Sequence, residues 1–547
     1  MSFLLVFLET LFTAMALAFM LMTGYELMSG LKTSRSKNEK PAVTPAESSE
    51  GAPRKPAPVP DSDLPEAAVL IPVCNEVAAV KRLISAAVRL DYPRDRLEIL
   101  VLDDSRAENA AVIREFTLQQ AESFPFLRYL SRGNREGFKA GNIAYGISSS
   151  RGSLIAIFDA DAVPAADFLK VTVPYFVRDA RERESGKQSR RPLGFLQTSI
   201  VFGNEGENFI TRFLGLEVSH KNSMTESQRS HDEYASLTGS SCVWLRECVS
   251  SAGGLSAQTL TEDVDLCYRA QLLGWRYEYV TETETREELP NTVAAMRVQR
   301  HRWALGLIGN AFLYFKKVLA SDFSVKKKLA ALTVMSQSFI LSSFYLLLLG
   351  SLPMAFCARE QGWYFQVLCV TLLMVTVIWA VNSMGGSAGK KAPEAESSGR
   401  AAPENASPDS QSPDTADPAP DTDPQDTPQI RRGFLEYFGY VLLYFPLSLY
   451  YFIALLENLV GIRGSFVPTP KSGSSFIKRP RIGLFLLTLE YFSLIYSLIT
   501  LTVSIITGSG WTAFYASLTA MGFSLSLTLP LFLRSRAASE ADKASKG

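Results

Sequence analysis

What most constrains this chain is a set of three apolar runs, each of strand length and each ending in polar residues, in a segment that leads straight into membrane-length apolar stretches. Ala68–Val73 leads into Cys74-Asn75-Glu76, Leu97–Leu102 into Asp103-Asp104-Ser105, and Leu154–Phe158 into Asp159-Ala160-Asp161. Apolar runs of this length, broken only by Glu98, fit strands buried on both faces, and helix-length segments such as Val77–Arg89 separate them. Alternating β and α elements predict a parallel sheet with helices on both faces. Ligands of such sheets lie beyond the carboxyl ends of the strands, where these acidic residues fall.

At 547 residues the chain exceeds one simple domain. Its 47% hydrophobic content is high for a soluble protein, and its 20% charged content is high for an intramembrane one. A soluble domain joined to a membrane domain satisfies both. Lys and Arg total 55 and so do Asp and Glu, so no net field favours a nucleic-acid partner. Cys74, Cys242, Cys248, Cys267, Cys357 and Cys369 include no Cys-x-x-Cys pair and no histidine at zinc-ligand spacing. They read as reduced thiols.

Hydropathy divides the chain further. Residues 1–30 hold an apolar stretch, 3–28, long enough to cross a hydrocarbon core of about 30 Å. Lys32, Arg35, Lys37 and Lys40 follow it, which places the amino terminus outside and the next segment in the cytoplasm. Residues 31–65 read as a flexible linker and 66–325 as the globular domain. Residues 326–384 contain two apolar spans, near 329–357 and 362–384, and 385–432 is an acidic, Pro-rich stretch unable to bury a core. Residues 433–481 carry basic charge at both ends of the apolar segment 433–460, with Pro446 inside it. That pattern predicts an interfacial or re-entrant helix entering and leaving by the cytoplasmic face, with a break at the proline. Residues 482–535 supply two more spans, and 536–547 form a cytoplasmic tail.

Carboxylates at positions i and i+2 of extended backbone point the same way, so Asp159 and Asp161 can approach one hard cation. Such pairs also serve turns and caps. Asp103 and Asp104 can accept hydrogen bonds from a nucleotide, or simply cap a βα-loop. Thr261-Glu262-Asp263 opens a helical stretch, and Asp263 can act there as a general base or as a cap. In Gln299-Arg300-His301-Arg302-Trp303, Arg302 can pair with diphosphate oxygens and Trp303 can stack on a sugar, although Arg and Trp beside a membrane also anchor in its interface. Lys139, between Gly137 and Gly141, is a further phosphate contact or a surface lysine.

Taken with Ile71-Pro72-Val73-Cys74-Asn75-Glu76 and Asn134-Arg135-Glu136-Gly137-Phe138-Lys139-Ala140-Gly141, these motifs resemble family 2 glycosyltransferases of the cellulose-synthase-like superfamily, closest to mannan and glucomannan synthase-like members. The resemblance implies an α/β GT-A (Rossmann-like) catalytic domain with an α-helical transmembrane bundle. It implies Mg2+ or Mn2+ at Asp159 and Asp161, Asp263 as base beside Glu262, nucleotide contacts at Asp103 or Asp104, and Gln299, Arg302 and Trp303 at the diphosphate and acceptor end. It further implies inverting, processive transfer of hexose from a UDP- or GDP-sugar to a growing β-glycan. The integral protein would lie in a plasma or inner membrane, with its catalytic domain cytoplasmic and an export partner receiving the product. Relatives with the same motifs place one sugar on a lipid acceptor instead, and an inactive membrane scaffold is the reading from another class. Phe466, Thr469 and Lys471 resemble the family's gating loop. Leu237-Thr238-Gly239-Ser240-Ser241 departs from the family's usual acceptor segment, and no cyclic di-GMP-binding domain follows the last span.

Overall fold

The computed structural model describes residues 56–186, 191–218, 234, 237–356, 434–462, 464 and 481–546. The expected anchor 3–28, the span 362–384, the acidic stretch up to 432 and the gating residues Phe466, Thr469 and Lys471 lie outside the described residues.

The chain begins β1 (Ala67–Val73), α1 (Val77–Ala87), β2 (Leu97–Asp103), α2 (Ala107–Ser123), β3 (Leu127–Leu130), α3 (Phe138–Ser148), β4 (Leu154–Ile157), β5 (Val163–Pro164), α4 (Phe168–Glu184) and β6 (Leu193–Phe202). It continues through β7 (Cys242–Leu245), α5 (Arg246–Ser251), α6 (Glu262–Leu272), β8 (Arg276–Glu287) and α7 (Val293–Ala320). These eight strands form one sheet in the order β3-β2-β1-β4-β7-β6-β8-β5. Every residue of β1 and β2 is buried, as their mostly apolar composition requires, Glu98 and Asp103 of β2 included. Val69, Ile71 and Val73 face one core with α1 and α4, while Leu70 faces a second with Ile143 of α3 and Leu266 of α6. Period-two alternation between two covered faces is what makes the apolar run continuous.

Pro72 in a central strand is tolerated for a local reason. Leu70 O accepts from Phe158 N, so the groups of residue 72 also turn toward β4, and β4 pairs with β1 only as far as Leu70. The missing N–H costs no ladder bond.

The sheet corrects the all-parallel expectation. β3, β2, β1 and β4 are parallel, but β7 runs antiparallel to both β4 and β6, while β6 and β8 are parallel. This mixed, α/β arrangement is the GT-A type. It matters for the site, because the start of an antiparallel strand lies where its parallel neighbours end. Cys242 opposes Ile157, and Ser241 N donates to Ile157 O at 2.8 Å, so residues 237–241 arrive beside Asp159.

Beyond the sheet lie α8 (Val325–Phe356), α9 (Phe434–Leu459), α10 (Arg481–Thr507) and α11 (Gly510–Lys546). Each contains a stretch long and apolar enough to cross a membrane, by length and composition. Pro446 does not break α9, contrary to the expected turn. A helical proline strips a hydrogen bond from the carbonyl four residues earlier, here Leu442. Gly522 of α11 sits against that carbonyl, Phe445 and Pro446 so closely that a Cβ there would fall 2.5 Å from Leu442 O. The helix thus continues through the proline where a neighbouring helix packs on it. Both ends of α9 touch the sheet-bearing region: Arg212 Nε lies 2.7 Å from Glu436, and Asn458 Nδ2 donates to Leu305 O at 3.0 Å.

Candidate functional site

The site forms at the carboxyl ends of β1, β2 and β4, with the start of β7, the start of α6 and one face of α7 closing round it. Among the described residues three that are not glycine have positive φ, namely Asn75 (68°) and Ser241 (57°) in loops and Phe138 (50°) at the start of α3, all at this edge of the sheet. Backbone of this kind persists only where its surroundings hold it. Asn75 shows how: its N–H donates to Ser105 Oγ at 2.7 Å, and its Oδ1 accepts from Arg106 N at 2.9 Å.

Asp103 and Asp104 are both buried and both engaged. Asp103 accepts from Ser105 N at 2.8 Å and from the Tyr129 hydroxyl at 2.9 Å. Asp104 takes a two-pronged contact from Arg132, Nε to Oδ1 at 3.0 Å and Nη2 to Oδ2 at 2.7 Å. Arg132 also donates to Phe138 O at 2.9 Å, so the pair fastens the 132–138 loop to β2. Arg132 escaped the sequence reading; its one signal was a guanidinium at the end of β3, level with the strand ends.

Lys139 is not a surface lysine: it is held within the site by acidic neighbours. Its Nζ lies 2.5 Å from Asp159 Oδ1 and 3.6 Å from Glu262 Oε1, and it donates to Gly239 O at 3.3 Å. Burial acts to strip its proton, but Asp159, Glu262 and Asp263 outweigh that effect and hold its pKa above the ordinary lysine range. Glu262 is buried, and burial raises its pKa; Lys139 opposes this, and neighbouring Asp263 adds to it. Asp263 is less buried and rests on Gly239, whose φ is +77°. A Cβ on Gly239 would stand 2.7 Å from Asp263 Oδ2, so only glycine allows this approach.

Asp159 N donates to Ser240 Oγ at 3.1 Å, and Asp161 is buried with Oδ2 accepting from Glu288 N at 3.0 Å. Two carboxylates of one turn suit a cation such as Mg2+, which takes one or two protein carboxylates and completes its shell with water and phosphate oxygens. The hard oxygen donors here fit that requirement. No group of three or more His, Cys, Asp or Glu able to hold a metal occurs among the described residues.

Arg302 projects from α7 toward the carboxylates of the site. Burial lowers its pKa, and the field of Glu262, Asp159, Asp263 and Glu76 opposes that lowering. Trp303 carries the Arg300 guanidinium 5.1 Å from its ring centroid, which reserves one face of the indole. Asn310 Nδ2 donates to Thr261 Oγ1 at 2.8 Å, and a Cβ on Gly306 would lie 2.6 Å from the same oxygen, so α7 packs closely on the start of α6. The structure therefore brings Lys139, Asp159, Glu262, Asp263 and Arg302 together. It places Asp103 and Asp104 along the same strand-end edge, turns Asp161 to the Glu288 amide and puts Gln299 on the site-facing side of α7 by its spacing from Arg302 and Gly306. Cys74, Cys242, Cys248 and Cys267 are free thiols, as expected.

The pattern of the glycosyltransferase-like family 2 matches residues 65–306, the stretch that builds this site. Two rice proteins (Oryza sativa subsp. japonica), "Probable glucomannan 4-beta-mannosyltransferase 11" and its number 6 counterpart, are each 34% identical over 271 and 276 residues, or 48% and 49% of this chain. The chain spans 44% and 45% of their lengths. A solved structure, the mannosyltransferase PcManGT from Pyrobaculum calidifontis in complex with GDP-Man and Mn2+, is 19% identical with a TM-score of 0.45, covering 68% of this chain and 99% of that one. Residues 65–306 are thus similar to the glycosyltransferase-like family 2.

Proposed function

We propose that this protein is a membrane-embedded inverting transferase that adds mannosyl units from a nucleotide sugar to a growing β-glycan. One observation carries the reading: a base candidate, two cationic side chains and an acidic strand end meet in one site against a set of membrane-length helices. The names of the rice relatives support mannose as the sugar.

In this reading Asp263 takes the proton of an acceptor hydroxyl, whose oxygen attacks the anomeric carbon as the bond to the diphosphate breaks on the opposite side. Glu262 is buried against Lys139 and holds that cation in place, which leaves Asp263 as the base. Arg302 and Lys139 receive the charge that develops on the leaving diphosphate. Asp103 and Asp104 keep the strand end and the 132–138 loop in register for the nucleoside. Asp159 and Asp161 would hold Mg2+ or Mn2+, which when bound neutralises the diphosphate.

We place the sheet domain on the cytoplasmic side. Phe312, Leu313, Phe315 and Leu319 are exposed on the second half of α7 beside Lys316 and Lys317, a composition suited to a lipid interface. With both ends on the sheet domain, α9 lies along that interface, while α8, α10 and α11 cross.

Membranes carrying the protein, incubated with labelled GDP-mannose, GDP-glucose or UDP-glucose and a divalent ion, should build polymer from GDP-mannose. A product bearing one sugar on lipid would replace processive synthesis with single transfer, and incorporation from none of the three would overturn the reading. Gly239→Ala should lower kcat about 100-fold with little change in nucleotide binding, because the new methyl displaces Asp263. Steady-state kinetics check this, and wild-type kcat would remove Asp263 from the reaction.

A further inference from the structure

Helix α7 presents two opposite faces. Arg302, Gly306 and Asn310, spaced by four, face the start of α6 and the carboxylates of the site. Arg297, Arg300, His301, Ala304 and Ile308 sit roughly two residues out of phase, about 200° round the helix. That second face is bolted to the apolar helices. Arg300 pairs with Glu217, which also accepts from the Tyr444 hydroxyl of α9 at 2.6 Å. His301 Nε2 lies 2.9 Å from Glu457 of α9, and Ala304 and Ile308 pack on Tyr451 and Ala454.

The innermost contact is the least expected. Glu490, in the apolar helix α10, is fully buried, and its Oε2 lies 2.5 Å from Arg297 Nη2. Its Oε1 accepts from the Tyr450 hydroxyl of α9 at 2.6 Å, and its Oε2 accepts from Ser526 Oγ of α11 at 3.1 Å. Arg297 Nη2 donates to Ser526 Oγ as well, at 2.9 Å. One ion pair thus joins α7, α9, α10 and α11. A charge inside an apolar helix is costly, and where it occurs a function is the default explanation. A buried pair adds little to stability over apolar side chains of the same size, but its geometry is specific.

We propose that Arg297 and Glu490 are positioning residues: their pair fixes the rotation and depth of α7 against the apolar helices and thereby sets Arg302 in the site, five residues further along the same helix. Neither touches the site itself. The proposal rests on the transfer reading for its kinetic consequence, but not for its structural one.

The test uses the full chain, purified with its membrane helices, as wild type, Arg297→Lys and the double variant R297M/E490Q. The amide introduced in place of the Glu490 carboxylate can still bond to Tyr450 and Ser526, so the double variant should melt near wild type. Amide hydrogen exchange between Gln299 and Gly306 should quicken about tenfold in the double variant as the helix loses its anchor. With GDP-mannose as donor, kcat should fall about 100-fold, as a misplacement of about 1 Å predicts, while the donor KM changes little. Arg297→Lys, which keeps the charge, should recover much of both. Wild-type exchange over this segment in the double variant overturns the proposal whatever the activity, and so does faster exchange with undiminished kcat. Exchange needs no substrate, so a wild type that transfers nothing counts against the transfer reading and leaves this test intact.

Discussion

Asp263→Asn is expected to cut transfer about a thousandfold, mid-range for the loss of a positioned general base. The substitution keeps the volume and the contact with Gly239, so folding and binding of the nucleotide diphosphate should persist. Labelled-sugar incorporation checks the first effect, and titration of the nucleotide checks the second. Glu262→Gln is the informative companion. Glu262 contacts Lys139 rather than Gly239, so its loss should weaken donor binding as well as turnover. Transfer by Asp263→Asn at the wild-type rate would mean that the acceptor hydroxyl is deprotonated elsewhere.

The second large effect is structural as well as catalytic. Lys139→Met should destabilise the sheet domain by about 3 kcal/mol, the cost of removing one partner from a buried ion pair. It leaves Glu262 buried without its cation, and Asp159 and Asp263 near it. Thermal melting followed by circular dichroism reads the loss, and labelled incorporation should fall below detection. Lys139→Arg keeps the charge but not the compact geometry, and should restore stability better than activity. A Met variant that melts with the wild type would show that the carboxylates do not depend on this cation.

Strands β1, β2 and β4 were legible because they are buried on both faces and therefore written almost entirely in apolar residues. β8 was not, since Glu282, Glu284 and Arg286 interrupt it with charge while its alternate residues go inside. The antiparallel pairing of β7 with β4 was hidden for a different reason. It joins residues about ninety positions apart, and no local pattern encodes which strand a short run such as Cys242–Leu245 will meet. Among the site residues, Asp159, Glu262, Asp263 and Arg302 were found from their motifs, and the structure brings them together. Lys139 was found as a phosphate contact, but its carboxylate partners were not. Its motif shows a cation between glycines and says nothing of Glu262, which lies more than one hundred residues later. Gly239 and Arg132 act through contacts made only in the folded chain, one by lacking a side chain and the other by reaching back to Asp104. At Pro446 the sequence rule was sound, but the glycine that fills in beside the freed carbonyl lies on another helix.

The ammonium of Lys139 gives this acidic cleft an internal counterweight. The three carboxylates of Asp159, Glu262 and Asp263 drawn together without it would repel, and the chain would need to capture an ion before the cleft could close, as happens in small domains that fold round zinc. Here the neutralising charge is covalently part of the chain, so assembly of the cleft is uncoupled from ion supply. The cleft can therefore take its shape in a newly made protein before any cation arrives from solution.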